Sequence, residues 1–278
     1  MAKNYFHYTS GKGLYGILST GTLQCTNINF LNDPTENKYL NNILDELFII
    51  EPEFKKIYSA LYNSSLEDVF FTYNYYVASF SKKQDSLYMW NYYASGNGYN
   101  IEMNLDSIVS LNEKHFDKIF MQDVIYNKKI QMDMLFDLFI EYQNKYNEYI
   151  NTPIGIKGED DDLVVEFHDI EFGFTEALYS YKFLFKHMAY RHEEETRLLI
   201  ALDYTVNQDN LNYKVSESGV IIQYTTLKLD LKKCIKSITV HPAASDLHQT
   251  GAHMFLSSII GYVDICKIQK SKVPFRII

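Results

Sequence analysis

The most chemically suggestive part of the sequence is a charged segment, Glu193–Arg197, that leads into an apolar run. If the segment is a strand, Glu193, Glu195 and Arg197 lie on one face, because successive side chains of a strand alternate. A carboxylate there could bond a ribose hydroxyl and stabilise developing positive charge, while the arginine keeps a neighbouring carboxylate ionised. The other face is apolar and predicts a core, so the charged face is expected toward a cleft or solvent. The alternative is a solvated strand edge with an ion pair.

An aromatic helix face is the second candidate. The segment Ala78–Ser81 is typical of a short buried strand, and a helix is expected over residues 85–94. Met89, Trp90 and Tyr93 then share one helix face, since positions three and four apart are neighbours. Such a face could hold a planar ring, such as a nicotinamide or a base. The alternative is an ordinary core stripe.

The opening strand, expected over Tyr5–Thr9, carries a histidine. Alternation places His7 and Thr9 on one face and Phe6 and Tyr8 on the other. His7 could hydrogen-bond the ribose or the amide of a ligand. The alternative is a partly buried histidine bonded to the backbone, and this pattern alone favours it.

Two further motifs favour structural interpretations. Gly11–Gly16 matches the glycine spacing of dinucleotide-binding loops. However, the strand before it is polar, the helix after it ends near Gly21, and no series of strand–helix units follows. The segment Asn32–Glu36 has the residues of a helix N-terminus with a capping box, so Asp33 is expected to cap a helix.

The sequence offers little for metal or thiol chemistry. The three cysteines lie far apart and form neither a disulfide framework nor a zinc pair. The acidic run Gly158–Asp162 lacks the alternating oxygen ligands of a calcium loop. No metal site is expected, and no nucleophile elbow or phosphate-binding loop occurs.

Composition and charge limit the function classes. The chain has 278 residues, with 26 Lys+Arg against 35 Asp+Glu and a formal net charge of −9. A broad nucleic-acid surface is not expected, because phosphate contacts need a basic face, although a local basic patch stays open. The sequence has neither a signal-peptide pattern nor an apolar stretch of membrane-spanning length, so a soluble cytoplasmic protein is expected. The 24 tyrosines are expected to serve mostly in packing.

The order of strand-like and helical segments predicts an α+β fold. Short strands alternate with helices in the first third of the chain and return in its last third. Between them, apolar spacing predicts two long helices, Ile130–Ile150 and Leu163–His187, joined by the acidic run. We therefore expect one domain over 1–278, with a mixed or antiparallel sheet, flanking helices and a helical-hairpin insertion at 129–189.

Several motifs together resemble a family of bacterial proteins known only as domain of unknown function 2971. The similar segments are His7–Thr9, Phe30–Glu36, Ser79–Ser81, Met89–Ala94 with Gly98, the set Lys186, Tyr190, Glu193, Glu195 and Arg197, and Ser271–Arg276. Tyr190 stands where the family usually has tryptophan. The order of elements also resembles a distant ADP-ribosyltransferase, in which an opening strand carries a histidine, a later aromatic residue stacks on nicotinamide and a late-strand glutamate bonds the nicotinamide ribose.

This second resemblance implies roles for individual residues. NAD would be the substrate, with His7 on the opening strand, Tyr93 or Trp90 against the nicotinamide, and Glu195 or Glu193 on the ribose. Arg197 would support the carboxylate or bind a phosphate. The other expected NAD-binding residues are Tyr8, Thr9 and Ser81.

The implied function is an NAD-consuming enzyme that transfers ADP-ribose to a macromolecule or to water, as a toxin or in phage defence. The acceptor stays open between protein, nucleic acid and water. The alternative is a non-catalytic module of the same family that binds a small ligand or a partner protein.

Overall fold

The chain groups into two compact units by its internal contacts. A computed structural model describes residues 4–31, 36–62, 73–94, 96–151, 160–203, 210–216, 218–261 and 266–274. The sheet unit comprises Met1–Leu31, Asn74–Asp123 and Tyr190–Ile278, and the helical unit comprises Asn32–Tyr73 and Val124–Ala189. The expected single-domain organisation stays a prediction.

The secondary structure is mixed, which confirms the α+β prediction. The strands of the described residues are β1 (Tyr5–Thr9), β2 (Thr22–Asn27), β3 (Tyr73–Ser81), β4 (Tyr99–Met103), β5 (Lys118–Asp123), β6 (Glu195–Asp203), β7 (Asn212–Val215), β8 (Ile221–Lys228), β9 (Ile235–Val240) and β10 (Lys267–Lys270). The helices are α1 (Gly11–Thr20), α2 (Glu36–Ile50), α3 (Pro52–Leu61), α4 (Leu87–Tyr93), α5 (Leu105–Asn112), α6 (Lys128–Asn151), α7 (Asp160–Leu184), α8 (Leu231–Cys234) and α9 (Asp246–Ile260). Short 3₁₀ helices span Ile28–Phe30 and Met188–Glu193.

The strands form one mixed sheet in the order β10-β9-β4-β1-β3-β2-β8-β7, with β6 paired to β3 and β5 paired to β6. β9 and β10 run parallel, whereas β1 is antiparallel to both of its neighbours, β3 and β4. This arrangement confirms the predicted mixed sheet. It also excludes a dinucleotide-binding role for Gly11–Gly16, because that motif follows a strand of a parallel sheet.

The two faces of β1 pack against different helices. Tyr5 lies in the main core with Leu14 and Leu18 of α1, so we call this side the α1 face. Phe6 and Tyr8 cluster with Trp90 of α4, so we call the other side the α4 face. The alternation of β1 therefore separates its residues into two distinct surroundings, as the sequence predicts.

The pairing between β1 and β3 is short. β1 pairs with β4 along its whole length, but with β3 only at Phe6 and Ser81. β3 then turns to pair with β2 at Tyr76 and Val77. We call the stretch of β1 and β3 beside the Phe6–Ser81 pair, which the contact between His7 and the Ser79 carbonyl bridges, the strand gap. The side chain of Ser79, which lies along it, is exposed.

The helical unit consists of four described helices, α2, α3, α6 and α7, around a core of leucine, isoleucine and aromatic side chains. Phe174 of α7 contacts Phe139 and Tyr142 of α6, and Phe167 contacts Tyr149. Earlier residues of α7 thus meet later residues of α6, so the two helices are antiparallel, as the predicted hairpin requires. α7 begins at Asp160, so the end of the predicted acidic loop is helical; the rest of that loop lies outside the described residues.

Two other expectations concern the capped helix and membranes. Asp33, the predicted helix cap, lies outside the described residues, and the helix after it is described from Glu36. Among the described residues, no helix combines the length and apolar character that crossing a membrane requires.

Candidate functional site

Three polar residues converge on the α4 face at the end of β3, and we call them the Tyr93–Glu193 cluster. The Tyr93 hydroxyl donates a hydrogen bond to Oε1 of Glu193 at 2.6 Å. The Ser81 hydroxyl donates to the backbone oxygen of Glu193, also at 2.6 Å. Ser81 and Glu193 are buried, and Tyr93 is half-buried. Because Ser81 pairs with Phe6, the cluster lies where the strand gap begins.

A strained turn places Glu193 against β3. The next residue, Glu194, has a φ of 42°, in the left-handed region that costs a non-glycine residue about 1–2 kcal/mol. Its backbone oxygen accepts a hydrogen bond from the Lys82 amide at 3.0 Å. Its carboxylate pairs with Nζ of Lys83 at 2.9 Å. These contacts hold the passage from the 3₁₀ helix into β6 beside the end of β3.

Glu195 and Arg197 form a buried ion pair. Nε of Arg197 donates to Oε1 of Glu195 at 2.9 Å, and Nη2 donates to Oε2 at 3.2 Å. Glu195 is 5% exposed and Arg197 is 1% exposed. The expectation that their charged face lies toward a cleft or solvent is therefore wrong. The two-pronged contact compensates both charges, which permits their burial.

The predicted alternation of β6 is confirmed. Leu198, Ile200 and Leu202 lie in the main core with α1, opposite Glu195 and Arg197. The shared face of Glu195 and Arg197 was therefore identified correctly, but their exposure was not. Glu193 is not part of the strand either: it ends the 3₁₀ helix Met188–Glu193, and the positive φ of Glu194 interrupts the alternation.

Trp90 lies in the core rather than on an open platform, with 0% of its surface exposed. The rings of Tyr8 and His241 contact it edge-on, at centroid distances of 4.9 and 5.3 Å. Its indole Nε1 donates to Oδ1 of Asp85 at 2.6 Å. Of the two aromatic residues proposed for a planar ring, Tyr93 is the one that reaches the polar cluster.

Tyr8 fixes the loop that leads into α4. Its hydroxyl donates to the backbone oxygen of Lys83 at 2.9 Å and accepts from the amide of Ser86 at 3.1 Å. Burial raises the pKa of this phenol, and the Ser86 contact opposes that rise. The side chain is 7% exposed, so in this structure Tyr8 is buried and holds the loop before α4 in place.

His7 and Thr9 lie on the α1 face, away from the Tyr93–Glu193 cluster. His7 is half-buried, and its Nδ1 lies 3.1 Å from the backbone oxygen of Ser79, across the strand gap. Burial lowers the pKa of His7, and the bond to Ser79 opposes that change. Thr9 packs against Gly13, where any Cβ would clash with the threonine hydroxyl. The structure thus brings Ser81, Tyr93 and Glu193 together, but places His7 on the other side of the sheet.

Residues 89–198 match a family model described as Protein of unknown function (DUF2971). This match supports the DUF2971 family. No curated protein and no solved structure matches the chain.

The DUF2971 match contains most of the candidate site. It begins at Met89 in α4 and ends at Leu198 in β6, so it includes Tyr93 and the whole Glu193–Arg197 segment. His7 and Ser81 lie outside it. Both residues of the Tyr93–Glu193 hydrogen bond therefore lie within the matched region, Tyr93 near its start and Glu193 near its end.

Sequence reasoning missed two supports of α4. Asp85 is assigned to the predicted helix, but α4 begins at Leu87 and Ser86 caps it. His241 is 1% exposed, and its Nδ1 accepts a hydrogen bond from the Ala243 amide at 3.0 Å. This bond places the ring proton on Nε2, and burial lowers the pKa of the imidazole. The sequence carries no signal for His241, because its contact with Trp90 depends on strand order.

The candidate site consists of the hydroxyl groups of Ser81 and Tyr93 and the carboxylate of Glu193. Within the described part of the chain, no group of three or more His, Cys, Asp or Glu side chains is arranged to hold a metal ion.

Proposed function

We propose that this protein is an NAD-consuming enzyme of ADP-ribosyltransferase type. The observation that carries the proposal is the buried Glu193 carboxylate, held by the Tyr93 hydroxyl at 2.6 Å beside the strand gap. The resemblance of the element order to ADP-ribosyltransferases supplies the reaction. A carboxylate in a water-poor site interacts more strongly with positive charge than one in solvent.

In the proposed reaction, the bond between the ribose C1′ and the nicotinamide nitrogen breaks. Its electron pair leaves with nicotinamide, and positive charge develops on the ribose. Glu193 would accept a hydrogen bond from a ribose hydroxyl and stabilise that charge, while the Tyr93 ring would border the nicotinamide. The acceptor, a protein, a nucleic acid or water, then bonds to C1′ and loses a proton.

The remaining residues receive supporting roles. Glu195 and Arg197 already bind each other, so we assign the ribose contact to Glu193 and treat the pair as a positioning element. His7 and Thr9 lie on the opposite face of the sheet, so the proposal gives them no contact with the nicotinamide ribose; exposed Ser79 lies on the same strand as Ser81, two residues away. Trp90 holds α4 in place.

Nicotinamide release tests the proposal. Purified protein is incubated with NAD in water, with mixed proteins and with single-stranded nucleic acid, and free nicotinamide is measured. We expect Glu193→Gln to lower the rate about 10²–10³-fold, as the loss of one charge-stabilising group does. Glu53→Gln, which changes an exposed carboxylate of α3 outside the candidate site, is the control and should retain the rate. No release under any of the three conditions, or full activity of Glu193→Gln, contradicts the proposal.

A toxin or phage-defence role follows as an extension. Loss of NAD or modification of a macromolecule harms a cell, so we expect induced expression in bacteria to arrest growth. Glu193→Gln should relieve the arrest at equal protein level. Growth arrest that persists with this variant would contradict a role that depends on the reaction.

A non-catalytic binding module is the second candidate, and two observations favour it. Trp90 is fully enclosed, and Glu195 with Arg197 forms the ion pair that this alternative expects. Titration calorimetry with NAD separates the candidates, because a module binds the ligand without releasing nicotinamide.

A further inference from the structure

The carboxylate of Asp85 joins two segments that are distant in sequence. Its Oδ1 accepts from the indole of Trp90 at 2.6 Å and from the hydroxyl of Ser271 at 2.6 Å. Its Oδ2 accepts from the backbone amide of Lys272 at 2.8 Å. A carboxylate with donors from two segments fixes their relative position more firmly than neutral contacts do.

The C-terminal segment is itself fixed to the sheet. The amide of Ser271 donates to the backbone oxygen of Val240 at 2.9 Å, where the segment leaves the parallel β9–β10 pair. The amide of Val273 donates back to the Ser271 hydroxyl at 3.1 Å. Asp85 is therefore held from the side of the sheet as well as from α4.

α4 transmits this restraint to the candidate site. Trp90 and Tyr93 are three residues apart on this seven-residue helix, so a shift of one moves the other. At its C-terminal end α4 packs closely on Gly98, where a Cβ would lie 2.8 Å from Cα of Ala94. The Tyr93–Glu193 bond depends on the position of this short helix.

We propose that Asp85 is a latch through which the segment Ser271–Val273 positions α4 and thereby Tyr93. Release of the segment loosens Trp90 and weakens the hydrogen bond between Tyr93 and Glu193. What Tyr93 contacts in a complex rests on the proposed function, but the link from Ser271 to Tyr93 does not. The latch makes the C-terminal segment a regulator of the site.

Trp90 supplies a direct probe, because it is the only tryptophan of the chain. Asp85→Asn and Ser271→Ala are made in the full-length protein, and tryptophan emission is recorded under folding conditions. We expect a red shift for Asp85→Asn and a smaller change in the same direction for Ser271→Ala. Ser258→Ala, which removes an exposed hydroxyl of α9 bonded to Phe255, is the control and should leave the emission unchanged.

A double-mutant cycle tests the connection to Tyr93. The shift in melting temperature caused by Tyr93→Phe is measured in the wild-type and in the Ser271→Ala background. We expect a smaller shift in the second, because the bond that Tyr93→Phe removes is already weakened there. Additive shifts, or an emission spectrum of Ser271→Ala identical to wild type, would overturn the latch. Neither measurement uses NAD, so failure of the proposed reaction leaves this test intact.

Discussion

Aromatic residues serve different purposes in the two units. In the helical unit they pack on one another, as Phe54 stacks on Phe139 and Tyr181 on Phe185. Around α4 in the sheet unit, three aromatic residues donate hydrogen bonds to fixed acceptors: Trp90 to Asp85, Tyr8 to the Lys83 carbonyl, and Tyr93 to Glu193. Tyrosine hydroxyls are also bonded in the helical unit, from Tyr39 to Gln131 and from Tyr181 to the Met134 carbonyl. What distinguishes the surroundings of α4 is that carboxylates, Asp85 and Glu193, are among the acceptors.

The largest expected effect on the free energy of unfolding comes from the buried ion pair of the sheet unit, Glu195 with Arg197. Arg197→Met leaves the Glu195 carboxylate buried without its arginine, and we expect a loss of about 3–5 kcal/mol in the free energy of unfolding. Urea denaturation measures this. The double variant Glu195→Met with Arg197→Met makes the site as apolar as the helical unit and should lose much less. Equal losses for the single and double variants would show that the pair's charge is not what matters.

A glycine beside α4 tests how tightly the site is packed. In Gly98→Ala the new methyl group clashes with the backbone of Thr9 and Ala94, and we expect a loss of about 1–3 kcal/mol. Gly16→Ala in α1 is the matched control, since its Cβ meets nothing within 4 Å. That control should gain up to about 1 kcal/mol from the better helix propensity. Thermal melts of both variants decide whether the close approach is required.

Tyrosine hydroxyls can be compared directly between the units. Tyr8→Phe removes the donor to Lys83 and the acceptor for the Ser86 amide, which should cost about 1–2 kcal/mol. Tyr142→Phe in α6 keeps the ring contact with Phe174 and should change the free energy of unfolding by less than about 0.5 kcal/mol. Equal effects in urea denaturation would erase the distinction between the two aromatic sets.

The smallest expected effect is a loss of stability in mild acid. Burial lowers the pKa of His7 and of His241 below the ordinary value of 6.5, so the unfolded chain binds more protons than the folded one. The free energy of unfolding is therefore highest above pH 6.5 and should fall as the pH drops through that value. Buried tyrosines of the helical unit, such as Tyr181, have a raised pKa and do not titrate there.

Urea denaturation at several pH values between about 8 and about 5.5, the range in which histidines change charge, measures this fall. His241→Gln, which keeps a polar side chain, should flatten the profile. A profile as steep as that of the wild type would assign the acid sensitivity to other groups.

Local patterns predicted elements whose periodicity is strong and uninterrupted. β1 has the expected bounds, and the two long helices α6 and α7 are present, because alternation and helical spacing are properties of the segment itself. β5 is missed because its apolar residues, Ile119, Phe120 and Met121, are consecutive and do not alternate with polar ones. α3 and α5 are short, and their apolar positions do not stand out from the surrounding sequence.

The sequence predicts which site residues share a face of a strand or helix, but not which other elements cover that face. Alternation correctly placed Glu195 and Arg197 together, and helical spacing correctly joined Trp90 and Tyr93. Which aromatic ring is covered depends on Tyr8 and His241, which reach Trp90 only after the sheet forms. Likewise, the separation of His7 from Tyr93 follows from the side of β1 on which α4 packs, and no local pattern contains that information.

The latch also has a consequence for the order of events during synthesis. Ser271 is translated 186 residues after Asp85, which corresponds to about 10–40 s at usual elongation rates. During that interval α4 and the turn at Glu194 can both form, although the latch between Asp85 and Ser271 is still missing. If the latch positions Tyr93 as proposed, the site of a nascent chain stays incompletely positioned until Ser271 has left the ribosome.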